Sequence, residues 1–313
     1  MKKIITDMLV CPACLPEENR LKDKVLQEQG GDIFEGSLTC RKCGRTYPIR
    51  DGIAFLDRMP LQKREKTDSK YETSAVLSSY LWSHYGDLLQ DSNASSAYSE
   101  WVDLLNPQTG ATIDAGSAVG RFSFEMTQKT DFVIGIDNSL SFVRAARELM
   151  IKREKKIDLK LEGRLTEKKR ITLPESWDSN KVEFIVGDAQ ALPFRSKAFI
   201  CVASLNLVDK IPFPLQHIQE MNRIAKEKDA QFLLSDPFSW SEDVAKEEDW
   251  LGGTRGGPYP GRGVENVTAL LKGEKGVLLP PWKVDKSGHV WWKIRTHANH
   301  FEMIRSCFVK AFR

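Results

Sequence analysis

A short turn rich in small residues, at residues 112–121, constrains the fold of this chain most. An apolar run leads into the turn, the turn carries Gly116 and Gly120, and a predicted helix follows it. The next apolar run, residues 132–136, ends in Asp137. Glycines let the backbone approach a bound nucleotide, and an acid that ends the following strand can accept hydrogen bonds from ribose hydroxyls. This pairing predicts a unit that binds an adenosine cofactor.

Two kinds of nucleotide site contain such a turn. Dinucleotide-binding units require Gly-x-Gly-x-x-Gly, which seats a pyrophosphate at the helix N-terminus. This chain has Gly-x-Ala-x-Gly instead, with Ala118 in the middle and Asp114 before the first glycine. A class I methyltransferase needs an acid at that position, near the amino acid portion of S-adenosylmethionine (SAM). The turn therefore favours a SAM site over a dinucleotide site.

Further apolar runs extend this unit into a sheet. Short runs at residues 182–186, 198–204 and 231–234 have the length and composition of buried parallel strands. Helical patterns at residues 141–151 and 215–225 alternate with them, which predicts a doubly wound α/β sheet of the Rossmann-like class. Ligands of such sheets bind beyond the carboxyl ends of the strands. The polar residues at those ends are Asp114, Asp137, Asp188, Asn206 and Asp236.

Four of the six cysteines lie near the start of the chain, in two Cys-x-x-Cys pairs. Two such pairs, separated by about two dozen residues, supply the four thiolates of a tetrahedral zinc site. Four protein ligands leave no open position for water or substrate, so the predicted role of the zinc is to hold a small domain together. The alternative, a pair of disulfides, is disfavoured by the spacing. The predicted ligands are Cys11, Cys14, Cys40 and Cys43.

The sequence around the second pair resembles the zinc-ribbon family that activates tRNA and translation-factor methyltransferases. The shared elements are the Cys-x-x-Cys that begins at Cys40 and the Tyr-Pro-Ile-x-Asp-Gly-Ile that ends at Ile53, and the resemblance covers residues 1–56. In that family the ribbon is usually a separate subunit that covers an apolar face of the enzyme. Its fusion to the same chain here implies a built-in stabiliser.

Several segments, in order along the chain, resemble the C-terminal methyltransferase domain of ovothiol-biosynthesis enzymes. That domain N-methylates the imidazole of a mercaptohistidine, so the resemblance implies a small imidazole acceptor. In the family the domain follows an iron-dependent sulfoxide synthase, whereas a zinc ribbon stands in that place here. The chain also has Ser117 where a cysteine is expected and ends one shared motif with Ile211. The matching segments are residues 83–86, 114–121, 124–125, 135–137, 187–189, 206–210, 236–240 and 250–253.

The predicted site residues follow from these patterns. Methyl transfer from a sulfonium is an in-line displacement, and a neutral imidazole nitrogen is already nucleophilic, so the enzyme must orient the ring and keep it deprotonated. The predicted catalytic residues are His84, Tyr85, Asn206 and Asp209. The predicted cofactor-binding residues are Tyr85, Asp114, Gly116, Ala118, Gly120, Asp137, Asn138, Asp188, Ala189 and Asn206.

The chain divides into a zinc ribbon at residues 1–56, a charged linker at 57–70, and a methyltransferase domain at 71–313 that opens with a helical cap. The net charge of +3 is too small to indicate nucleic-acid binding by itself. The sequence shows no apolar run near the ~20 residues of a membrane span. We therefore expect a soluble cytoplasmic protein with no membrane partner.

Two segments remain open to different interpretations. The charged segment at residues 152–170 alternates acids with bases, which indicates a solvated insertion rather than an RNA-binding surface. The Gly- and Pro-rich segment at residues 251–263 suits either a mobile flap over the substrate or a plain surface loop. The predicted function is SAM-dependent N-methylation of a small imidazole or thiol-imidazole. The alternative is an RNA or protein methyltransferase that grips its substrate with the ribbon and the basic insert.

Overall fold

A computed structural model describes residues 1–58 and 70–313, so most of the predicted linker lies outside the described residues. The strands are β1 (Leu21–Gln29), β2 (Asp32–Cys40), β3 (Thr46–Arg50), β4 (Ile53–Leu56), β5 (Ala111–Ala115), β6 (Phe132–Asp137), β7 (Glu154–Glu162), β8 (Leu165–Thr172), β9 (Val182–Gly187), β10 (Cys201–Leu205), β11 (Gln231–Asp236), β12 (Lys283–His297) and β13 (His300–Phe312). The α-helices are α1 (Ser74–Tyr85), α2 (Ala97–Asp103), α3 (Arg121–Met126), α4 (Leu140–Lys152), α5 (Pro214–Ile224) and α6 (Gly263–Leu271).

The centre of an 11-stranded sheet is parallel, in the order β9-β6-β5-β10-β11. Every residue of β9, β10 and β11 is buried, because helices cover both faces of the sheet. The chain order reverses between β5 and β10, so the carboxyl ends of these two strands flank the switch point where α/β sheets bind ligands. The predicted doubly wound sheet is thus observed.

A long antiparallel hairpin closes one end of the sheet. Strand β13 pairs with β11, and β12 pairs with β13 along most of its length. Burial alternates along the middle of β12, where Trp291 is 47% exposed and Trp292 is 5% exposed. The buried face of this hairpin packs towards α1, which carries the aromatic residues of the predicted helical cap.

The ribbon joins the opposite end of the sheet. Strands β1 to β4 form an antiparallel meander, and β4 then pairs in parallel with β9 at Phe55↔Val186 and Leu56↔Gly187. The N-terminal segment therefore continues the main sheet and covers what would otherwise be the open edge of β9.

Some local details differ from the predictions. The predicted strand at residues 198–204 is regular only from Cys201 onwards. The helix after the glycine turn ends at Met126. The charged insertion forms the β7–β8 hairpin, in which Lys156 lies opposite Arg170 and Asp158 opposite Lys168. Within the described ranges, the helices are all too short or too polar to cross a membrane.

Candidate active site

The turn after β5 has the backbone that its glycines predict. Gly116 and Gly120 both have positive φ, at +77° and +86°, a region that favours glycine. A Cβ at Gly116 would lie 3.0 Å from the side chain of Leu207, which borders the cavity described below. A Cβ at Gly120 would lie 2.5 Å from the buried ring of Phe184. Gly120 is therefore required by packing against the core, and its predicted role in cofactor binding stays a prediction.

Asp137 ties the turn to the end of β6. Its Oδ2 accepts a hydrogen bond from the backbone N–H of Ala118 at 2.9 Å, and its Oδ1 accepts one from the N–H of Ser139 at 2.8 Å. These two bonds fix the orientation of the Asp137 carboxylate at the edge of the cavity. Asn138, the next residue, is exposed and borders the same cavity.

Asp114 lies at the end of β5 and is 2% exposed. Its Oδ2 accepts a hydrogen bond from the Ser123 hydroxyl at 2.6 Å. Burial raises the pKa of Asp114 to about 7, although the Ser123 bond acts in the opposite direction. A carboxyl with a pKa shifted this far is typical of functional sites, where a charged ligand group completes the pairing.

These acids border one partly open cavity at the carboxyl ends of β5 and β10, with a volume of about 90 Å³. Its cofactor-side residues are Asp114, Gly116, Ser117, Ala118, Asp137 and Asn138. Its aromatic residues are Tyr71, Tyr80, His84, Tyr98, Phe122, Phe142 and Trp292. The remaining residues are Leu205, Asn206, Leu207, Lys210 and Ile211. Acids on one side and aromatic rings on the other suit a cofactor and a flat acceptor meeting between them.

His84 is 3% exposed within the aromatic wall. Burial and the nearby Arg121 guanidinium lower the pKa of His84 well below its usual 6.5, so the imidazole is neutral at physiological pH. Its Nε2 shares a 2.6 Å hydrogen bond with the hydroxyl of Tyr98, and the two rings lie 4.2 Å apart. Its Nδ1 has no hydrogen-bond partner in the described part of the chain.

Two further buried groups on the cavity wall have unpaired polar atoms. Within residues 1–58 and 70–313, neither Ser117 Oγ nor Trp292 Nε1 has a hydrogen-bond partner. Both residues are at least nine-tenths buried. Buried polar atoms in folded proteins are nearly always paired, so unpaired atoms on residues that border a cavity are candidates for ligand contacts. Ser117 Oγ lies near Gly135 of β6, which leaves His84 Nδ1 and Trp292 Nε1 as the stronger candidates.

Tyr85 does not share this environment. Its side chain is fully buried, and its hydroxyl donates a 2.7 Å hydrogen bond to the carbonyl of Val119. Neighbouring positions on an α-helix point about 100° apart, and only His84 of this pair borders the cavity. Tyr85 is a packing residue of α1, and the predicted catalytic and cofactor-binding roles are corrected accordingly.

Asn206 and Asp209 follow β10, as predicted, but only Asn206 borders the cavity. Asn206 has a positive φ of +54°, and its Oδ1 accepts a 2.6 Å hydrogen bond from the Ser306 hydroxyl. The carboxylate of Asp209 is buried, accepts a hydrogen bond from the N–H of Ser239 at 2.7 Å and lies 3.1 Å from Lys210 Nζ. Asp209 does not border the cavity itself, but its ion-pair partner Lys210 does.

Asp188 and Ala189 lie outside the cavity lining. Asp188 Oδ2 accepts a hydrogen bond from Arg58 at 3.0 Å, and Asp188 Oδ1 accepts one from the backbone N–H of Gln190 at 2.8 Å. The Ala189 carbonyl forms a 2.9 Å hydrogen bond with Nδ1 of the buried His217. The segment at residues 251–263 is also absent from the lining, so it does not form the wall that a substrate flap would provide.

The four ribbon cysteines converge as predicted. All four Sγ atoms lie within 4.8 Å of one another. Cys11 Sγ is 3.7 Å from Cys43 Sγ, and Cys14 Sγ is 3.8 Å from Cys40 Sγ. Zinc–sulfur bonds of about 2.3 Å give a regular tetrahedron with edges of about 3.8 Å, so the four thiols fit a zinc ion.

Several cavity residues were missed at the sequence level or left undecided there. Tyr80 and Trp292 lie in aromatic stretches of the sequence, a pattern that fits packing as well as a cavity wall. Tyr71, Tyr98 and Phe142 carried no motif signal. Lys210 did, because it ends the matched segment that begins at Asn206. A period-two pattern around Trp292 would have indicated an inward side chain in a half-buried strand.

Comparisons with known proteins agree with this geometry. Residues 2–52 match the model of the Trm112p-like protein family, and residues 113–230 match the model of a methyltransferase domain. The chain therefore has a class I methyltransferase fold with an N-terminal Trm112-like zinc-binding domain, and it is a SAM-dependent methyltransferase. These matches confirm the predicted fold class, reaction type and pair of cofactors.

Solved structures with similarity to the chain include three of related kinds. A complex containing the Haloferax volcanii Trm112 methyltransferase activator is 12% identical, covers 79% of this chain and 99% of that one, and has a TM-score of 0.44. Magnesium protoporphyrin IX methyltransferase from Synechocystis, with bound SAM, is 17% identical. The match covers 70% of this chain and 76% of that one, with a TM-score of 0.41. Phosphoethanolamine N-methyltransferase 2 from Haemonchus contortus is 16% identical. The match covers 61% of this chain and 37% of that one, with a TM-score of 0.40. A search among curated proteins found no match.

Proposed function

We propose that this enzyme methylates a ring nitrogen of a small imidazole, of the thiol-imidazole type represented by mercaptohistidine. The observation that carries the proposal is the neutral, buried His84 with an unpaired Nδ1, in an aromatic cavity that also borders the acids of the cofactor side. A flat ring fits between aromatic walls, and a polymer would need an open groove with basic walls instead.

The residues around the glycine turn fit SAM. Asp137 ends β6 and borders the cavity, where its carboxylate can bind ribose hydroxyls. Gly116 has no Cβ, so the backbone of the turn beside Leu207 lets the cofactor approach closely. Asp114, whose pKa of about 7 reflects a buried and incompletely paired carboxyl, suits the amino group of the methionine portion. When bound, SAM supplies an electrophilic methyl group on its sulfonium sulfur.

The protein contributes mainly alignment. The aromatic wall that includes Tyr80, Tyr98 and Phe142 can stack the acceptor ring, with Tyr80 and Phe142 only 4.7 Å apart at their ring centres. Holding the ring nitrogen and the methyl carbon in line, at about 3 to 3.5 Å, can contribute about 7–11 kcal/mol to the rate. The nitrogen lone pair forms the new N–C bond as the C–S electrons return to sulfur.

His84 positions the proton of the acceptor ring. We assign the tautomer in which Nε2–H donates to the Tyr98 hydroxyl, which leaves Nδ1 as an acceptor without a partner among the described residues. Nδ1 can then accept a hydrogen bond from the N–H of the acceptor ring and fix its tautomer, so that the lone pair of the other ring nitrogen is free to attack the methyl group; the proton of the methylated ring leaves to solvent with the product. Positioned acid–base groups of this kind contribute about 10²- to 10⁴-fold.

In this proposal the chain divides into the ribbon at residues 1–56, the linker at 57–70 and the methyltransferase domain at 71–313, and the role of the ribbon is structural. The pairing of β4 with β9 supports a built-in stabiliser, because it covers the edge strand that leads to Asp188. The acceptor itself is a small molecule in this proposal, and the charged hairpin β7–β8 serves no binding purpose.

The test uses the full-length, zinc-loaded protein and SAM with a labelled methyl group. We expect transfer to mercaptohistidine, and a loss of about 10²-fold in kcat/KM for His84→Asn with unchanged SAM affinity. Charge reversal at Lys156 and Lys168, on the exposed hairpin, is the matched control and should change kcat/KM by less than about threefold. Label that enters only RNA or protein in size-fractionated cell extract would reject the proposal in favour of a macromolecular substrate.

A further inference from the structure

Trp292 stands out among the aromatic residues of the cavity. It lies on β12, its side chain is 5% exposed, and its ring meets that of Tyr80 edge to face at 6.1 Å. Its Nε1–H has no hydrogen-bond partner in the described part of the chain. A buried indole N–H usually has a partner, so a Trp that borders a cavity with an unpaired N–H points to a ligand that supplies one.

The chemistry of that ligand follows from what each unpaired group can do. Ser117 Oγ can donate or accept, and His84 Nδ1 can do either according to its tautomer. The indole N–H can only donate. The ligand atom beside Trp292 must therefore carry a free electron pair, and a methyl group or an N–H would leave the indole unpaired.

The cavity wall carries both signs of charge: Asp114 and Asp137 are its acids, and Lys210 offers the acceptor a group that can bind an anionic substituent. Lys210 is the single cationic side chain among the described residues that border the cavity, and its side chain is 37% exposed. Its Nζ lies 3.1 Å from Asp209 Oδ2, and an ammonium has three donors, so further donors remain for a ligand. Hydrogen bonds to a charged partner are about twice as strong as neutral ones.

We propose that Trp292 is a specificity-determining residue: its Nε1–H donates to an anionic substituent of the acceptor, either the carboxylate oxygen or the thiolate sulfur of a mercaptohistidine-like molecule. This assignment rests on the proposed function. The carboxylate and the thiolate both carry a localised negative charge with a free electron pair. The acceptors chosen for the assay distinguish one from the other.

The experiment compares Trp292→Phe with wild type on three acceptors: mercaptohistidine, its decarboxylated analogue and histidine. Phenylalanine keeps an aromatic ring but removes the N–H. We expect kcat/KM on mercaptohistidine to fall about tenfold or more, which is about 1.4 kcal/mol, while the SAM affinity is unchanged. If the carboxylate is the partner, the loss disappears on the decarboxylated analogue. If the thiolate is the partner, the loss persists there and disappears on histidine.

Two control variants separate recognition from packing. Trp291→Phe changes the adjacent residue, which is 47% exposed on the other face of β12. Trp101→Phe removes another buried and unpaired indole N–H, from a residue that does not border the cavity. Both should retain kcat/KM on all acceptors within about twofold, and all three variants should show cooperative unfolding.

The outcomes distinguish the two proposals. Equal losses for Trp292→Phe on all three acceptors would mean that the ring only supports the wall, and would overturn the assignment. Full activity of Trp292→Phe would do the same, and in both cases the proposed function would stand. If wild-type protein methylates none of the three acceptors while it still binds SAM, the proposed function fails and the role of Trp292 fails with it.

Discussion

Asp114 provides a quantitative test of how the cofactor side of the cavity is built. Burial raises the pKa of its carboxyl from 3.8 to about 7 in the folded protein. Because the folded state then holds the proton more tightly than the unfolded state, the free energy of unfolding falls as the pH rises between these two values. Three pKa units correspond to about 4 kcal/mol, so the ionised carboxylate destabilises the SAM-free protein by roughly that amount above about pH 7.

Asp114→Asn should remove this penalty. The amide oxygen can still accept the 2.6 Å hydrogen bond from Ser123, but the side chain cannot ionise. Between about pH 5 and about pH 8, ionisation of Asp114 lowers the free energy of unfolding of the wild type by the equivalent of about two pKa units, which is about 3 kcal/mol. Over the same range the free energy of unfolding of the variant should rise by about that amount relative to the wild type. Urea unfolding of SAM-free protein over this range measures the difference. Asp103→Asn, whose side chain is 82% exposed, controls for general effects of charge.

Parallel pH dependences for Asp114→Asn and wild type would refute the reasoning, because they would mean that the carboxyl is already paired or solvated. The same variant should weaken SAM binding by about 1.5–3 kcal/mol at about pH 8, the range for hydrogen bonds to charged groups. A variant that is more stable and binds the cofactor less tightly would show that Asp114 is retained for binding at a cost in stability.

Two further predictions concern the cofactor and the metal. Asp137→Asn should weaken SAM binding by about 1.5–3 kcal/mol in calorimetry, whereas Asp188→Asn, outside the cavity lining, should weaken it less; the opposite ranking would contradict the assignment of Asp137. Purified protein should hold about one zinc ion per chain, and removal of the zinc with a chelator should lower the melting temperature. Cys307→Ser, outside the four-thiol cluster, should keep the metal, and zinc-free protein with an unchanged melting temperature would exclude a stabilising role.

Much of the fold could be predicted because its signals are local. The strand that ends in Asp114, the turn with Gly116 and the acid at Asp137 lie in one short stretch, and buried parallel strands have a distinctive composition. The zinc ligands could be predicted equally well, because a spacing of two residues between paired cysteines lets both thiolates bind the same metal ion.

The acceptor side of the cavity could not be predicted in the same way. Tyr98, His84 and Trp292 come from α2, α1 and β12, and only the packing of α1 against the terminal hairpin brings them together. Tyr85 illustrates the converse error. It adjoins His84 in sequence, but the helix turns its ring towards Val119 and into the core. A motif identifies a neighbourhood, and the helical period decides which of its residues face the ligand.

The position of the ribbon suggests why fusion into one chain is useful. Strand β9 is fully buried, so without β4 its edge would expose unpaired backbone groups beside apolar side chains. Arg58, just beyond β4, also contacts Asp188 at the end of β9, so the ribbon contacts the strand end nearest the cofactor side. A separate activator subunit would cover this edge only at sufficient concentration, whereas a tethered ribbon binds intramolecularly at an effective concentration of about millimolar or more. Zinc loss should therefore destabilise the end of β9 as well as the ribbon, and hydrogen exchange along β9 would detect it.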